Sequence, residues 1–342
     1  MKNNIFFYSS VKSKDLFETQ SFYKTDINIL KDLGFNVYVT NKISDFFRIR
    51  EYDIAFIYFY TYGLFVAIIS KILGKKVYFT GGIDDLEESY AKPSRHKKQK
   101  VFFKLCRLFS NSCILVSTAD KENVKKIYNG SLPNKISLSF HSIEVDKYLC
   151  ENLNEKDEIF TSIAWMENEG NVIRKGIDTS LKVFYYLVNN FQPYQNYKFI
   201  IIGKKGLGSD YLSKISEQLN IQDKVFFTDA VDEETKISIL KKSKIYMQLS
   251  IYEGFGIAAT EALAAKNIVI NSGKGGLKDS VGSYGVNFDI DKNISDQIPS
   301  LQSKLLNIEE NFLEEGAEYV VSHFSYDTRK NDLKKILTSN YV

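Results

Sequence analysis

Two glutamates with seven residues between them are the chain's strongest chemical signal. They lie in Ser250-Ile251-Tyr252-Glu253-Gly254-Phe255-Gly256-Ile257-Ala258-Ala259-Thr260-Glu261-Ala262-Leu263. A strand should end at Leu249, a loop with two glycines should follow, and an alanine-rich helix should begin near Gly256. Glycine lets backbone approach a ligand closely. A helix start presents unpaired N–H groups and the positive end of a dipole to an anion, and a diphosphate is the natural occupant. Glu253 in the loop and Glu261 on the helix could then accept from the hydroxyl pairs of a sugar ring and a ribose. Gly254-x-Gly256-x-x-Ala259 also fits the loose dinucleotide fingerprint, but Asn271 stands where that fingerprint expects an acid. A bare strand-to-helix turn would explain the glycines alone. The two spaced glutamates argue for more than that.

Two other basic stretches carry chemistry. Arg174-Lys175-Gly176 precedes a helical pattern, so Lys175 stands where a cation can meet an anion at a helix start. Lys92 to Arg107 mixes cations with Phe102, Phe103, Leu105, Leu108 and Phe109 in an amphipathic pattern. That pattern fits contact with an anionic membrane through residues 92–109, or with a lipid-linked diphosphate acceptor. It fits equally a solvated helix whose apolar side packs on a sheet. His96 and His141 read as ordinary surface or turn residues, with a place lining the interdomain cleft as the alternative for His141.

The elements that must position these groups alternate. Short apolar runs, at Ile5–Tyr8, Asn36–Thr40, Ile54–Phe59, Lys76–Phe79 and Cys113–Ser117, are separated by longer amphipathic segments. The series continues at Ile159–Ile163, Lys198–Ile202, Lys224–Phe227, Ile245–Leu249 and Ile268–Asn271. Apolar residues on consecutive positions mark strands covered on both faces, hence parallel ones. Strand–helix alternation predicts βαβ units in doubly wound α/β sheets. The polar stretch Lys147–Asp157 reads as a linker, and the chain closes in a helical pattern at Asp327–Leu337.

Bulk properties set limits. The length of 342 residues predicts two ordinary domains, and the formal charge of +3 gives no reason to expect nucleic-acid binding. Cys106, Cys113 and Cys150 form no Cys-x-x-Cys pair, so neither a disulfide framework nor a zinc site is expected. The apolar run after Met1-Lys2-Asn3-Asn4 is too short for a signal peptide and reads as a first strand. Both points predict a cytoplasmic protein. Ile54 to Ser70 lacks charge but is short for a membrane span, and reads as a buried strand, a tight turn and a buried helix.

The Glu253–Glu261 segment resembles the Glu-x7-Glu donor motif of retaining glycosyltransferases of family 4. Arg174-Lys175-Gly176 resembles the family's Lys-Gly element, and Ile200-Ile201-Ile202-Gly203 its next strand and glycine turn. Val225-Phe226-Phe227 is similar to the strand before the base-binding loop, and Gly275-Gly276 to the turn after the motif helix. These elements occur in the family's order from about Ile159 to Gly285. The N-terminal half rests on Ser117-Thr118-Ala119-Asp120 and His141-Ser142-Ile143-Glu144.

The resemblance implies a GT-B fold, two doubly wound Rossmann-like domains facing across a cleft. It implies an acceptor domain over 1–150, a donor domain over 157–320 and a helix over 321–342 returning to the first. The donor would be a UDP- or GDP-sugar, the acceptor a glycan or a lipid-linked hydroxyl, and the anomeric configuration would be retained. No cofactor or metal is implied. Glu261 would hold the ribose and Glu253 would lie near the donor sugar. The amides of Gly254, Phe255, Gly256 and Ile257 would line sugar and phosphate. Lys175, with Arg174, would neutralise the departing diphosphate. A bacterial surface-polysaccharide pathway is what the family's usual work implies, and the basic stretch 92–109 adds an expected peripheral contact at the inner membrane face.

Two departures stand out. Ala164-Trp165-Met166 occupies a turn where many relatives carry arginine, so Arg174 is expected to substitute. Thr80-Gly81-Gly82-Ile83-Asp84-Asp85 lacks the N-terminal histidine of many relatives, which leaves Asp84 as the catalytic candidate and Asp85 second. Turn or capping chemistry explains Asp84 almost as well. The alternative for the whole chain is a catalytically silent GT-B protein with a binding or scaffold role.

Overall fold

The computed structural model describes residues 3–150 and 153–338. The chain forms two compact units, one of Met1–Ile143 with Phe324–Val342, the other of Glu144–His323.

The first unit is built on a parallel sheet of β1 (Asn4–Tyr8), β2 (Asn36–Thr40), β3 (Ile54–Tyr58), β4 (Lys76–Thr80), β5 (Ser112–Leu115) and β6 (Ile136–Leu138). Its strand order is β2-β1-β3-β4-β5-β6. Central β3 is buried at all five positions, whereas edge strand β2 alternates between exposed and covered ones. That difference follows from having neighbours on both sides or only one. One face packs Phe6, Phe46, Ala67, Phe103 and Cys106. The other packs Phe7, Ile27, Phe56, Ile114 and, from the closing helix Tyr326–Thr338, Leu333.

That closing helix is also fastened by charge. Arg329 is buried and donates to both carboxylate oxygens of Asp26, at 2.8 and 2.7 Å. It donates further to the carbonyls of Ser139 and Phe140. Tyr58 donates to Asp26 Oδ2 at 2.6 Å, and His141 stacks parallel on the Tyr58 ring. His141 is therefore a core residue, where the sequence suggested a surface or turn position.

The second unit repeats the plan with β7 (Asp157–Ile163), β8 (Lys198–Ile202), β9 (Val225–Phe227), β10 (Ser243–Gln248), β11 (Ile268–Asn271) and β12 (Gly285–Asn287). The order is β12-β11-β10-β7-β8-β9, again parallel. In the first unit the strand order reverses between β1 and β3 and in the second between β7 and β10, so loops at the carboxyl ends of those strands diverge there. In such sheets that is where ligands bind.

Two expectations need correction. Helix Gly63–Ile72 was expected to be buried, but its Phe65 and Ile72 are exposed. Helix Pro93–Leu108 does pack on the sheet, through Gln99, Phe103 and Cys106, yet Leu105 and Leu108 of its expected apolar face point to solvent. Among the described residues no helix is long and apolar enough to cross a membrane.

Candidate functional site

The carboxyl end of β10 opens into the loop 249–256, and the geometry of that loop is set by glycines. Gly256 has φ +103° and begins helix Ile257–Ala264. A Cβ there would lie 2.7 Å from Leu277 Cδ2 and 2.9 Å from Ser280 Oγ. Glycine also means that no side chain caps this helix, so the N–H groups of its first turn remain available to a ligand. Gly275 and Gly276 press on the same loop from the far side, and Gly276 N–H donates to Glu253 O at 2.7 Å. Ser272 Oγ donates to Ser250 O at 2.6 Å.

Lys175 and Glu253 meet here. Lys175 Nζ lies 2.6 Å from Glu253 Oε1, and Ser250 Oγ donates to the same oxygen at 2.7 Å. Burial pushes the Glu253 carboxyl up. Lys175, Ser250 and the nearby Arg174 outweigh it and hold the group below its ordinary value, so Glu253 is a carboxylate at neutral pH. Lys175 reaches this place because helix Glu169–Arg174 ends beside the loop. Ile251 N–H donates to Arg174 O at 2.9 Å, and Gly176, at φ +64°, turns the chain into helix Ile177–Asn190. A Cβ on Gly176 would sit 1.9 Å from Leu249 O.

Glu261 lies one turn into the motif helix and is buried. Its Oε1 accepts from Tyr148 OH and from Lys236 Nζ, each at 2.8 Å. The Lys236 ammonium also lies 5.4 Å from the centre of the Tyr148 ring. Both donors are additions to the sequence reading. Tyr148 falls in the stretch expected to be a linker, where it ends a short helix Val145–Tyr148. Lys236 sits on helix Glu233–Lys242 with nothing in its sequence neighbourhood to mark it.

Of the other expected residues, Gly254, Phe255 and Ile257 lie in the loop and at the helix start with Gly256. Asp84 belongs to the first unit, in a 3-10 turn Asp84–Leu86 beyond the carboxyl end of β4. Asp85 beside it receives Arg95 at 2.9 Å.

Residues 151–317, within the second unit, match the family model described as glycosyl transferases group 1. Anabaena Alr3699/HepE, solved with UDP and glucose, superposes with a TM-score of 0.75 at 14% identity, covering 99% of this chain and 100% of that one. The chain has the GT-B fold. Sucrose-phosphate synthase from Thermosynechococcus elongatus likewise gives a TM-score of 0.75 at 13% identity, over 98% of both chains. An uncharacterized glycosyltransferase of Methanocaldococcus jannaschii, MJ1607, is 29% identical over 172 residues, 49% of this GT-B chain and 41% of the relative. The chain thus spans less than half the length of that relative.

Proposed function

We propose that the chain transfers a glycosyl group from a nucleoside diphosphate sugar to an acceptor hydroxyl, with retention of configuration. The observation that carries this reading is the convergence of Lys175, Glu253 and the uncapped helix start at Gly256 on one loop. The helix start and Lys175 suit a diphosphate, whose negative charge grows as the glycosyl bond breaks. Fixed cations at that point lower the barrier. Glu253 is kept ionised to accept from sugar hydroxyls, and Glu261 accepts from the ribose. A leaving phosphate oxygen takes the acceptor's proton, so retention needs no separate base. Arg174 supports Lys175 through its charge. Asp84 is assigned to orient the acceptor, as the acid nearest the end of β4 in sequence. UDP- and GDP-sugars are the donor candidates, and no cofactor is invoked. Glycan synthesis in the cytoplasm follows from the family resemblance.

A thermal-shift panel of nucleoside diphosphates and their sugars tests the reading, since a ligand that binds only the folded chain raises its midpoint. One nucleotide should stand out, and Glu261→Ala should weaken it by about ten- to a hundredfold, because a hydrogen bond to a charged group is worth ~1.5–3 kcal/mol. Unchanged affinity in a folded variant would sink the ribose assignment. Proton NMR of the product's anomeric coupling reads retention directly. Nucleotide binding with neither donor hydrolysis nor transfer across the whole panel would instead favour a catalytically silent binding protein.

A further inference from the structure

The amino end of the second sheet borders a cavity of about 420 Å³. That volume falls within the ~300–1,000 Å³ of small-molecule sites. Lys156, just before β7, Lys244 and Ile245 of β10, and Ile268 at the start of β11 line it. Leu305 and Leu306, ending helix Ile294–Leu306, and Leu313 of helix Glu310–Phe324 add further apolar wall. Leu306 is 55% exposed, an apolar side chain left open beside the cavity. The donor loop leaves the other end of β10, so the length of that strand, roughly 20 Å at ~3.3 Å per residue, separates the two places.

The polar groups of the wall are unpaired or positive. Tyr194 and Tyr197 are buried, with ring centres 5.4 Å apart and both rings against Phe160. A buried tyrosine hydroxyl usually finds a partner. Neither of these hydrogen-bonds to another described residue, and both side chains line the cavity. Burial raises both hydroxyls, Tyr194 to about 12, so they keep their protons and can donate. Lys156 is buried, and its Nζ donates to the carbonyls of Lys241, Ser243 and Ala265 at 3.1, 2.8 and 2.8 Å. Burial lowers it to about 8, only partly opposed by Cys150, so at neutral pH it is a cation with all its donors in use. Lys244 is half-buried and has no carboxylate within ion-pair distance among the described residues. Glu310 also lines the cavity and Glu158 acts on Tyr197, but both are exposed and water screens their charge. The wall thus offers one ammonium and two phenols as donors. A carboxylate, with two oxygens and about four lone-pair sites, can accept all three. A phosphate dianion would call for a second cation with protons to give.

We propose that this cavity binds a small apolar carboxylate. Its hydrocarbon body packs on Ile245, Ile268, Leu305, Leu306 and Leu313, and its carboxylate accepts from Lys244 and from the Tyr194 and Tyr197 hydroxyls. The site lies wholly in the second unit and is independent of the donor assignment. Calorimetric titration of the intact chain with 2-naphthoate, and with the neutral 2-naphthamide of the same apolar body, tests it. Naphthoate should bind at one site per chain, about tenfold or more tighter than the amide, because its hydrogen bonds are charge-assisted. Lys244→Gln should bring naphthoate down to about the amide's affinity and leave the amide unchanged. Tyr194→Phe/Tyr197→Phe keeps both rings and should weaken naphthoate about tenfold. Leu306→Asp places a repelling carboxylate at an exposed position of the wall, and should weaken naphthoate more than the amide with the thermal midpoint unchanged. Absence of saturable naphthoate binding at millimolar concentration overturns the proposal. So do equal affinities for naphthoate and the amide, or naphthoate binding that none of the three variants weakens.

Discussion

Lys175 and Glu253 are 78 residues apart in sequence yet share a 2.6 Å contact in a mostly buried loop. An ion pair in such a place is seldom retained for stability, since desolvation offsets most of its attraction. In the proposed reaction its use is to keep an ammonium fixed where charge will develop. Lys175→Ala should therefore reduce turnover by about a hundredfold or more, by analogy with removing one preorganised stabiliser. KM for the donor should move much less, because the charge grows only during bond breaking. Single-turnover rates with saturating donor check this. Near-normal turnover would transfer the role to Arg174. Glu261 is a different case, since its two donors converge on one oxygen. Tyr148 and Lys236 fix the carboxylate's orientation, and in the proposed donor complex its other oxygen is the one that meets the ribose.

At the scale of the element, glycine positions decide how the loops can run. Gly176 needs a left-handed φ and also lacks room, with Leu249 O lying 1.9 Å from where a Cβ would be. Gly74 has a similar φ of +72° but nothing within 4 Å of its Cβ position. Gly74→Ala should cost only the left-handed penalty of ~1–2 kcal/mol. Gly176→Ala should cost clearly more and should also shift Lys175, which urea titration and donor affinity would register together. Equal losses in the two variants would contradict the crowding at Gly176. These elements were largely legible from the sequence. Lys198–Ile202 and Ile268–Asn271 fall where the apolar runs put them, because strands covered on both faces leave an uninterrupted run. β6 and β12 left no such run. Each is an edge strand of three residues, and the three residues of β6 are only half-buried. The glutamates and the glycines of the site were legible because their spacing is local. Tyr148 and Lys236 were not, since each reaches Glu261 across more than twenty residues of intervening chain and needs the tertiary fold to do so.

Over the whole molecule, the chain leaves its first unit at Ile143, builds the second, and re-enters the first at Phe324. Re-entry is secured where Ile143 N–H donates to Phe324 O at 2.9 Å and where Arg329 grips Asp26. Removing the cation alone would leave a buried carboxylate uncompensated, at a cost of ~3–5 kcal/mol. Arg329→Met should therefore be far less stable than Arg329→Met combined with Asp26→Asn, which removes the stranded charge. Acid acts on the same cluster. Burial raises the Asp26 carboxyl, but Arg329, His141 and Tyr58 prevail and hold it below its ordinary 3.8. Burial, reinforced by Arg329, lowers His141 from 6.5 to about 3. In both cases the folded value lies below the unfolded one, so the unfolded chain binds more protons as pH falls. The contribution from His141 is complete above pH 6.5 and is lost from there toward pH 3, and that from Asp26 fails only below about pH 4. The urea midpoint should therefore drop between pH 6.5 and pH 4 chiefly through His141. His141→Phe keeps a ring against Tyr58 and Phe22 but has no proton to gain. Its midpoint should fall markedly less over that interval, and an identical fall in both proteins would place the acid sensitivity elsewhere in the chain.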